Sequence, residues 1–372
     1  MYTDTLDASN AVIDWYLSKP TIVDNDKVKI VGSKTYHSIF RKADGYFVRW
    51  GESQQDDPQW CPHGPELLDI EISTGACKGK CAFCYKSNGQ PRTTTKHMTL
   101  YTFKQILDKM KVEARLAPLL PSSPYVINQI AFGITDIQSN PDFFAIMQET
   151  KNRGIIPNFT THGLDTTPTI AKRCAELCGG IAVSLNWPKS YDAVKMFVDA
   201  GVSQVNIHYM FAHQTVKQAK KIIDDLAGNN SRLAGVKALV LLRYKPKGMG
   251  QAYYTQPTLE DFRSVIEYAN SKNVSMGFDS CSAHAYLQCI ASSPDYEKLA
   301  QYVEPCESTL FSAYINVDGD FFACSFCENQ APNWETGISV LHCDNFLQIW
   351  NSARVNTWRK TLLAMDRKCP EY

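Results

Sequence analysis

The chain carries no net charge: 38 Lys and Arg balance 38 Asp and Glu, and the pI is near 7.0. That balance removes the basic footprint of a protein that grips nucleic acid non-specifically, and leaves open only a local patch. No apolar run approaches the roughly 18 residues that a membrane span needs, so no membrane partner is expected. The first residues, Met1-Tyr-Thr-Asp-Thr-Leu-Asp7, are acidic and lack a basic stretch followed by an apolar core. No secretory signal is therefore expected, and the cytoplasm is the expected location. Internal repeats and low-complexity tracts are also missing, which excludes solenoids and arrays. What remains is 372 residues, 44% hydrophobic and 20% charged. That is the make-up of an ordinary globular protein with one large domain and one or two small ones.

Cysteine is the residue in excess, with 13 in the chain. A long chain without a signal, its cysteines clustered, favours metal binding in a reducing compartment over disulfides. The tightest cluster is Ser73-Thr-Gly-Ala-Cys77-Lys-Gly-Lys-Cys81-Ala-Phe-Cys84-Tyr85, a Cys-x3-Cys-x2-Cys spacing. Three thiolates this close can hold three irons of a [4Fe–4S] cluster, which normally takes four cysteines. One iron is then open to another ligand. A structural zinc site would need four ligands, and no His or Cys completes a local knuckle; the next histidine is His97. The motif follows Leu67-Leu-Asp-Ile-Glu-Ile72, which reads as a buried strand. The loop after a strand is where an α/β barrel places its chemistry.

From about residue 66 the chain alternates strands and helices. Strands are expected at 67–72, 126–133, 155–160, 180–185, 203–209, 236–243 and 274–279. Helices are expected between them at 101–115, 141–153, 166–177, 188–200, 214–228 and 258–272. This order implies βα units, a parallel sheet and right-handed crossovers. Before it, Tyr36–Arg41 and Tyr46–Trp50 flank the turn signal Ala43-Asp44-Gly45 and read as a hairpin. After residue 281 the pattern breaks. Leu310–Ala323 reads as a hairpin turning at Asp318-Gly319. A last helix is expected from about Phe346 to Leu363. The domains expected are 1–65, an extension with the hairpin; 66–284, the barrel; and 285–372, a cysteine-rich domain.

The three-cysteine motif resembles the signature of the radical S-adenosylmethionine (SAM) superfamily, and the resemblance extends over about residues 66–372. It implies a partial (β/α)6 barrel, a seventh strand extending the sheet, and a [4Fe–4S] cluster on Cys77, Cys81 and Cys84. It implies that SAM chelates the open iron, and that reductive cleavage of SAM yields a 5′-deoxyadenosyl radical. In that family Gly-Gly-Glu stands five residues before the proline of an Asn-Pro-Asp such as Asn140-Pro-Asp142. The register puts Asp136 at the acidic position that holds SAM's ammonium, with Ile134 and Thr135 replacing the glycines. Thr160-Thr161-His-Gly163 is similar to the Thr-Asn-Gly found near SAM. Ser184, with Asn186 on the same strand face by the period of two, matches a SAM-contacting position. Phe83, Tyr85, Thr161 and His208 are further expected cofactor contacts. Asp279 and Cys281, leaving the seventh strand, are the expected substrate-facing catalytic candidates.

The remaining cysteines follow a second resemblance. Cys306 and Cys324 flank the predicted hairpin with 17 residues between them, and Cys324-Ser-Phe-Cys327 and Cys343 follow. This is similar to the SPASM or shorter twitch extension of radical SAM enzymes, which encloses auxiliary [4Fe–4S] clusters. One auxiliary cluster is implied, on Cys306, Cys324 and Cys327 with Cys343 or Cys281 as the fourth ligand; a zinc site on the same cysteines is the alternative. Cys174 and Cys178 read as buried small hydrophobes. Enzymes with such extensions mostly modify peptides or proteins, so a peptide-modifying radical SAM enzyme is expected. It would be fed by an electron donor such as flavodoxin or ferredoxin. The rivals are a dehydrogenase, isomerase or base-modifying enzyme acting on a small molecule or nucleotide, and a metal-stabilised binding protein without turnover.

Overall fold

The fold is described from a computed structural model, over residues 16–53, 55–86, 95–115, 120–250, 252–329 and 331–370. The acidic N-terminal heptapeptide lies outside these residues. Four antiparallel strands come first: β1 (Thr21–Asp24), β2 (Val28–Gly32), β3 (His37–Arg41) and β4 (Phe47–Trp50), ordered β1-β2-β3-β4. The predicted hairpin is the β3–β4 half of this meander. The other half was harder to read, because its anchor is a lysine. Lys29 is buried on β2 and donates to the Ile127 carbonyl at 2.6 Å. Burial lowers its ammonium to about pH 8 against the nearby Asp24.

The main sheet begins with β5 (Leu67–Glu71). A short ladder pairs β6 (Ser73–Thr74) with β7 (Lys96–His97) across the segment that carries the three cysteines. Then strands and helices alternate: α1 (Leu100–Lys109), β8 (Gln129–Gly133), α2 (Phe143–Asn152), β9 (Ile156–Thr161), α3 (Pro168–Leu177), β10 (Gly180–Ser184). They continue with α4 (Pro188–Asp199), β11 (Gln204–Phe211), α5 (Val216–Asp224), β12 (Leu239–Arg243), α6 (Leu259–Ser271) and β13 (Met276–Phe278). The seven strands β5 and β8–β13 are all parallel and lie in chain order across the sheet. Two short helices, α7 (Ala283–Ile290) and α8 (Tyr296–Ala300), lead to β14 (Ser312–Ile315), β15 (Asp320–Phe322) and β16 (Ile338–Ser339). β14 joins the outer edge of β5 in parallel, so one ten-stranded sheet runs through both halves of the chain.

Local signals explain most boundaries. Thr99, Thr167 and Thr258 cap α1, α3 and α6, with Pro168 opening α3 and Asp261 completing a capping box on α6. Strand residues alternate: Val205, Ile207 and Phe211 are buried against the helices, while Asn206, His208 and Met210 face the lumen side. Phe143, Phe159 and Phe197 join in edge-to-face contacts in the layer between sheet and helices. Cys174 and Cys178 are buried in this core. The long last helix expected over 346–363 is two helices, α9 (Phe346–Trp350) and α10 (Ala353–Ala364), because Ser352 starts a new one. The first helix stops at Lys109 rather than 115, since Val112 and Arg115 donate to the Pro124 and Pro20 carbonyls instead.

Candidate functional site

The cysteine loop leaves the C-terminal end of β5, at the mouth of the arc of strands. Its tight path depends on Gly79. A Cβ there would lie 3.2 Å from the His162 ring and 3.4 Å from both Cys77 Sγ and the Trp187 ring. The Gly79 amide donates toward Cys77 Sγ at 3.4 Å. Burial pushes the Cys81 thiol up to about 12, with the charges of Cys84 and Cys77 adding to the rise. Burial raises Cys77 as well, as do Asp136 and Cys84. Three thiols crowded together, Cys77 and Cys81 disfavouring their anions, suit a polycationic metal centre, whose charge removes the repulsion. Three thiolates and no fourth nearby match a [4Fe–4S] cluster with one iron left for another ligand. The segment after β12 closes over this loop: Met249 N–H donates to the Cys84 carbonyl at 2.9 Å. Gly248 has φ +63°, and a Cβ there would stand 2.6 Å from the Cys84 carbonyl.

Asp136 lies beside the loop. Cys77 Sγ, an Asp136 carboxylate oxygen and a His162 ring nitrogen are all within 4.8 Å of one another. His162 Nε2 is 2.7 Å from Asp136 Oδ1, and the Lys78 amide donates to the same oxygen at 3.3 Å. Sequence reasoning passed over His162 in favour of its neighbour Thr161, and the structure reverses the two. Thr161 is buried on the helix side of β9, and its hydroxyl accepts from the Gly163 amide at 3.0 Å. The strand's alternation, which turns Thr160 to the lumen, already carried that signal. Ser184 ends β10 on the lumen face, level with His208. Asn186 does not share its face through strand periodicity, because its amide turns back to the Ser184 carbonyl at 3.0 Å.

His208 and Asn206 line a cavity of about 320 Å³ with Asn158 and Gln204, beneath the β3–β4 turn at Lys42 and Asp44. The His208 ring nitrogen Nδ1 meets Thr160 Oγ1 at 3.3 Å, and burial lowers its pKa to about 4. It is a neutral lumen imidazole. On the lumen side of β5, burial alone pushes the Asp69 carboxyl up to about 7. Its folded value lies above the ordinary one of about 4, so stability it contributes below pH 4 is lost as pH rises through 7. The stability of Asp69→Asn relative to wild type is therefore expected to rise by about 2–3 kcal/mol from pH 5 to pH 8. Urea unfolding at the two pH values checks this; an equal margin at both would mean an Asp69 already ionised at pH 5.

The C-terminal cysteines form a second group. Cys306, whose thiol burial pushes well up, also feels the charges of Cys324, Cys281 and Cys369. Burial raises Cys281 to about 12, with Lys245 opposing and Asp279, Cys369 and Cys324 adding. Cys324 Sγ lies 3.3 Å from Cys327 Sγ. Cys343 stands apart: its thiol points to the Val340 carbonyl at 3.1 Å, near Lys109 and Asp344. Cys369, beyond the last helix, is near enough for its charge to act on both Cys306 and Cys281. Two residues before it, Arg367 Nε donates to the Cys306 carbonyl at 3.1 Å.

Lys245, which sequence reasoning left as a strand-end residue, joins the two regions. It is buried, donates to Asp279 Oδ2 at 2.7 Å, and lies 4.2 Å over the Phe326 ring. Although burial opposes its charge, Asp279 and Cys281 raise its pKa. Asp279 also accepts from Ser282 Oγ at 2.7 Å, so this acid is paired rather than free in the mouth. Tyr85 turns away from the first cysteine loop, its ring 4.3 Å from Phe326 and its hydroxyl 3.5 Å from Ser325. Phe83 approaches Tyr254, with ring centroids 6.3 Å apart. Lys86 pairs with Glu71 at the end of β5, at 3.4 Å, and with Glu328 beyond the C-terminal hairpin.

No family model and no curated protein sequence matches the chain. Solved structures do. Streptococcus suis SuiB bound to precursor peptide SuiA superimposes with a TM-score of 0.65 at 13% identity, over 91% of this chain and 90% of SuiB. SuiB bound to S-adenosylmethionine gives a TM-score of 0.61 over the same shares. Native anSMEcpe with bound AdoMet and Cp18Cys peptide gives 0.56 at 15% identity, over 80% of this chain and 83% of that one. At such identities the likeness is one of fold: this chain is built, nearly end to end, on the framework of those proteins.

Proposed function

We propose that this protein is a radical SAM enzyme that modifies a peptide or protein. The observation that carries the reading is the three-thiol loop at the barrel mouth with a carboxylate beside it. Cys77, Cys81 and Cys84 would hold a [4Fe–4S] cluster with one iron open to SAM. When bound and reduced, the cluster supplies the electron that splits SAM into methionine and a radical able to abstract a hydrogen atom from substrate. The chain's own residues bind and orient. Asp136 faces SAM's ammonium, and Ser184 lies on the lumen face toward the nucleoside. The 244–250 segment covers the loop and keeps water from it.

Cys281, Cys306, Cys324 and Cys369 hold one auxiliary [4Fe–4S] cluster, with the Cys327 sulfur against that of Cys324. The charge of Lys245 acts on Cys281 and Cys324, and a positive charge beside the sulfurs favours the reduced state. The peptide class of substrate is supported by the fold neighbours, which were solved with peptides as well as SAM. An electron donor of the flavodoxin or ferredoxin class would reduce the protein in the cytoplasm. No helix among the described residues is long and apolar enough to cross a membrane.

The test is 5′-deoxyadenosine formation by the reconstituted, dithionite-reduced protein with SAM, alone and with peptides encoded beside its gene. Formation of 5′-deoxyadenosine with a mass change on one peptide is expected. Iron-loaded protein that never cleaves SAM would overturn the reading.

A further inference from the structure

The acid beside the cysteine loop is short by one methylene, and it is preceded by Ile134 and Thr135 rather than glycines. A shorter carboxylate on a bulkier turn needs another group to set where its oxygens point. We propose that His162 is that group, a positioning residue that holds Asp136 to receive the ammonium of SAM; this rests on the function proposed above.

The hydrogen bonds decide the histidine's tautomer. The Leu164 amide donates to His162 Nδ1 at 2.9 Å, so Nδ1 is an acceptor. The proton is therefore on Nε2, which donates to Asp136 Oδ1 at 2.7 Å. The Lys78 amide, next to Cys77, donates to the same Oδ1. Both donors occupy Oδ1, and Oδ2 is left to an incoming donor. The carboxylate's rotation is thus set from the imidazole on one side and the cysteine loop on the other.

The imidazole itself is held from every direction. It is 7% exposed, so its one route to a polar partner is through these bonds. Gly79 presses on one edge, leaving 3.2 Å for a Cβ, and the Trp187 ring stands edge-on with centroids 6.0 Å apart. Its own carbonyl accepts from Ser190 Oγ at 2.7 Å. Gly163, at φ +78°, makes the turn that brings the Leu164 amide back onto Nδ1; a Cβ there would stand 2.6 Å from Ala193 Cβ. A ring locked this firmly transmits its position to Asp136 with little slack.

SAM dissociation constants of reconstituted protein, matched for iron content and melting temperature, test the inference. His162→Ala is expected to weaken SAM about tenfold, the scale of a charge-assisted hydrogen bond. His162→Gln, which restores an N–H donor at similar reach, is expected to recover most of that loss. Asp136→Asn should weaken SAM comparably, and adding His162→Ala to it should cost nothing further, because one acts through the other. A His162→Ala variant that binds SAM as wild type does, while Asp136→Asn binds it weakly, overturns the inference and leaves the proposed function standing. Losses that multiply in the double variant also overturn it. Wild-type protein that carries iron but binds no SAM removes the proposed function, and this inference with it.

Discussion

Replacing Cys77, Cys81 and Cys84 together by alanine is expected to remove one cluster of two: roughly four of about eight irons per chain. It should also abolish 5′-deoxyadenosine formation altogether. The physical basis is the loop's composition. Its three half-buried thiols stand together, and burial with the neighbouring thiols raises the cost of ionising Cys77 and Cys81. Only a metal centre makes three anions affordable there, so truncating all three sulfurs leaves nothing that could retain iron at this end. The rest of the fold should survive, because the loop residues lie outside the main core. Anaerobic iron and sulfide counts, with circular dichroism as the control, check this. Zinc in place of iron, in wild type, would turn both cysteine groups into structural metal sites and end the radical reading.

The second large effect separates Cys369 from Cys343. Cys369→Ser is expected to cost the auxiliary cluster its iron or convert it to a smaller, labile form, with the first cluster intact. Cys343→Ser is expected to leave the iron count unchanged. Cys306 and Cys281 both feel the charge of Cys369, whereas the charges acting on Cys343 are those of Lys109 and Asp344. The Cys343 thiol is spent on the Val340 carbonyl. Electron paramagnetic resonance of the two reduced variants reads the difference directly. If Cys343→Ser removes four irons and Cys369→Ser none, the assignment of the fourth ligand is inverted.

That pair also marks where sequence reading stops. The barrel was legible because each strand and helix repeats a local pattern, and the seven parallel strands fall where alternation and capping residues put them. The Cys-x3-Cys-x2-Cys loop was legible because its ligands are neighbours in the chain. The second cysteine group is not local: Cys281, Cys306, Cys324 and Cys369 are gathered from four separate segments. Cys343 or Cys281 was the fourth ligand expected, and Cys369 had no role assigned, because the bonds from Arg367, two residues before Cys369, to the Cys306 and Pro305 carbonyls leave no mark in the sequence. His162 was missed for a different reason. Its partner Asp136 lies 26 residues away on another strand's loop, and one position's difference along β9 decides which side chain faces the cysteines. Lys245 likewise gains its partners, Asp279 and Phe326, only from distant segments.

The pairing of β14 with β5 has a consequence for how the protein is made. β5 carries the cysteine loop, yet its outer edge is completed by Ser312–Ile315, some 245 positions later in the chain (Ser312 against Leu67). While the ribosome is still translating the barrel, that edge presents unpaired backbone groups to solvent, an invitation to the wrong strand. Pairing across so long a separation is slow, because the closure entropy precedes the contact that rewards it. The nascent chain thus carries its cysteine loop on an unfinished strand until synthesis is nearly over. The risk of a wrong pairing therefore falls in the interval before Ser312–Ile315 is made, and a chain cut short ahead of β14 should accumulate as aggregate rather than as soluble protein.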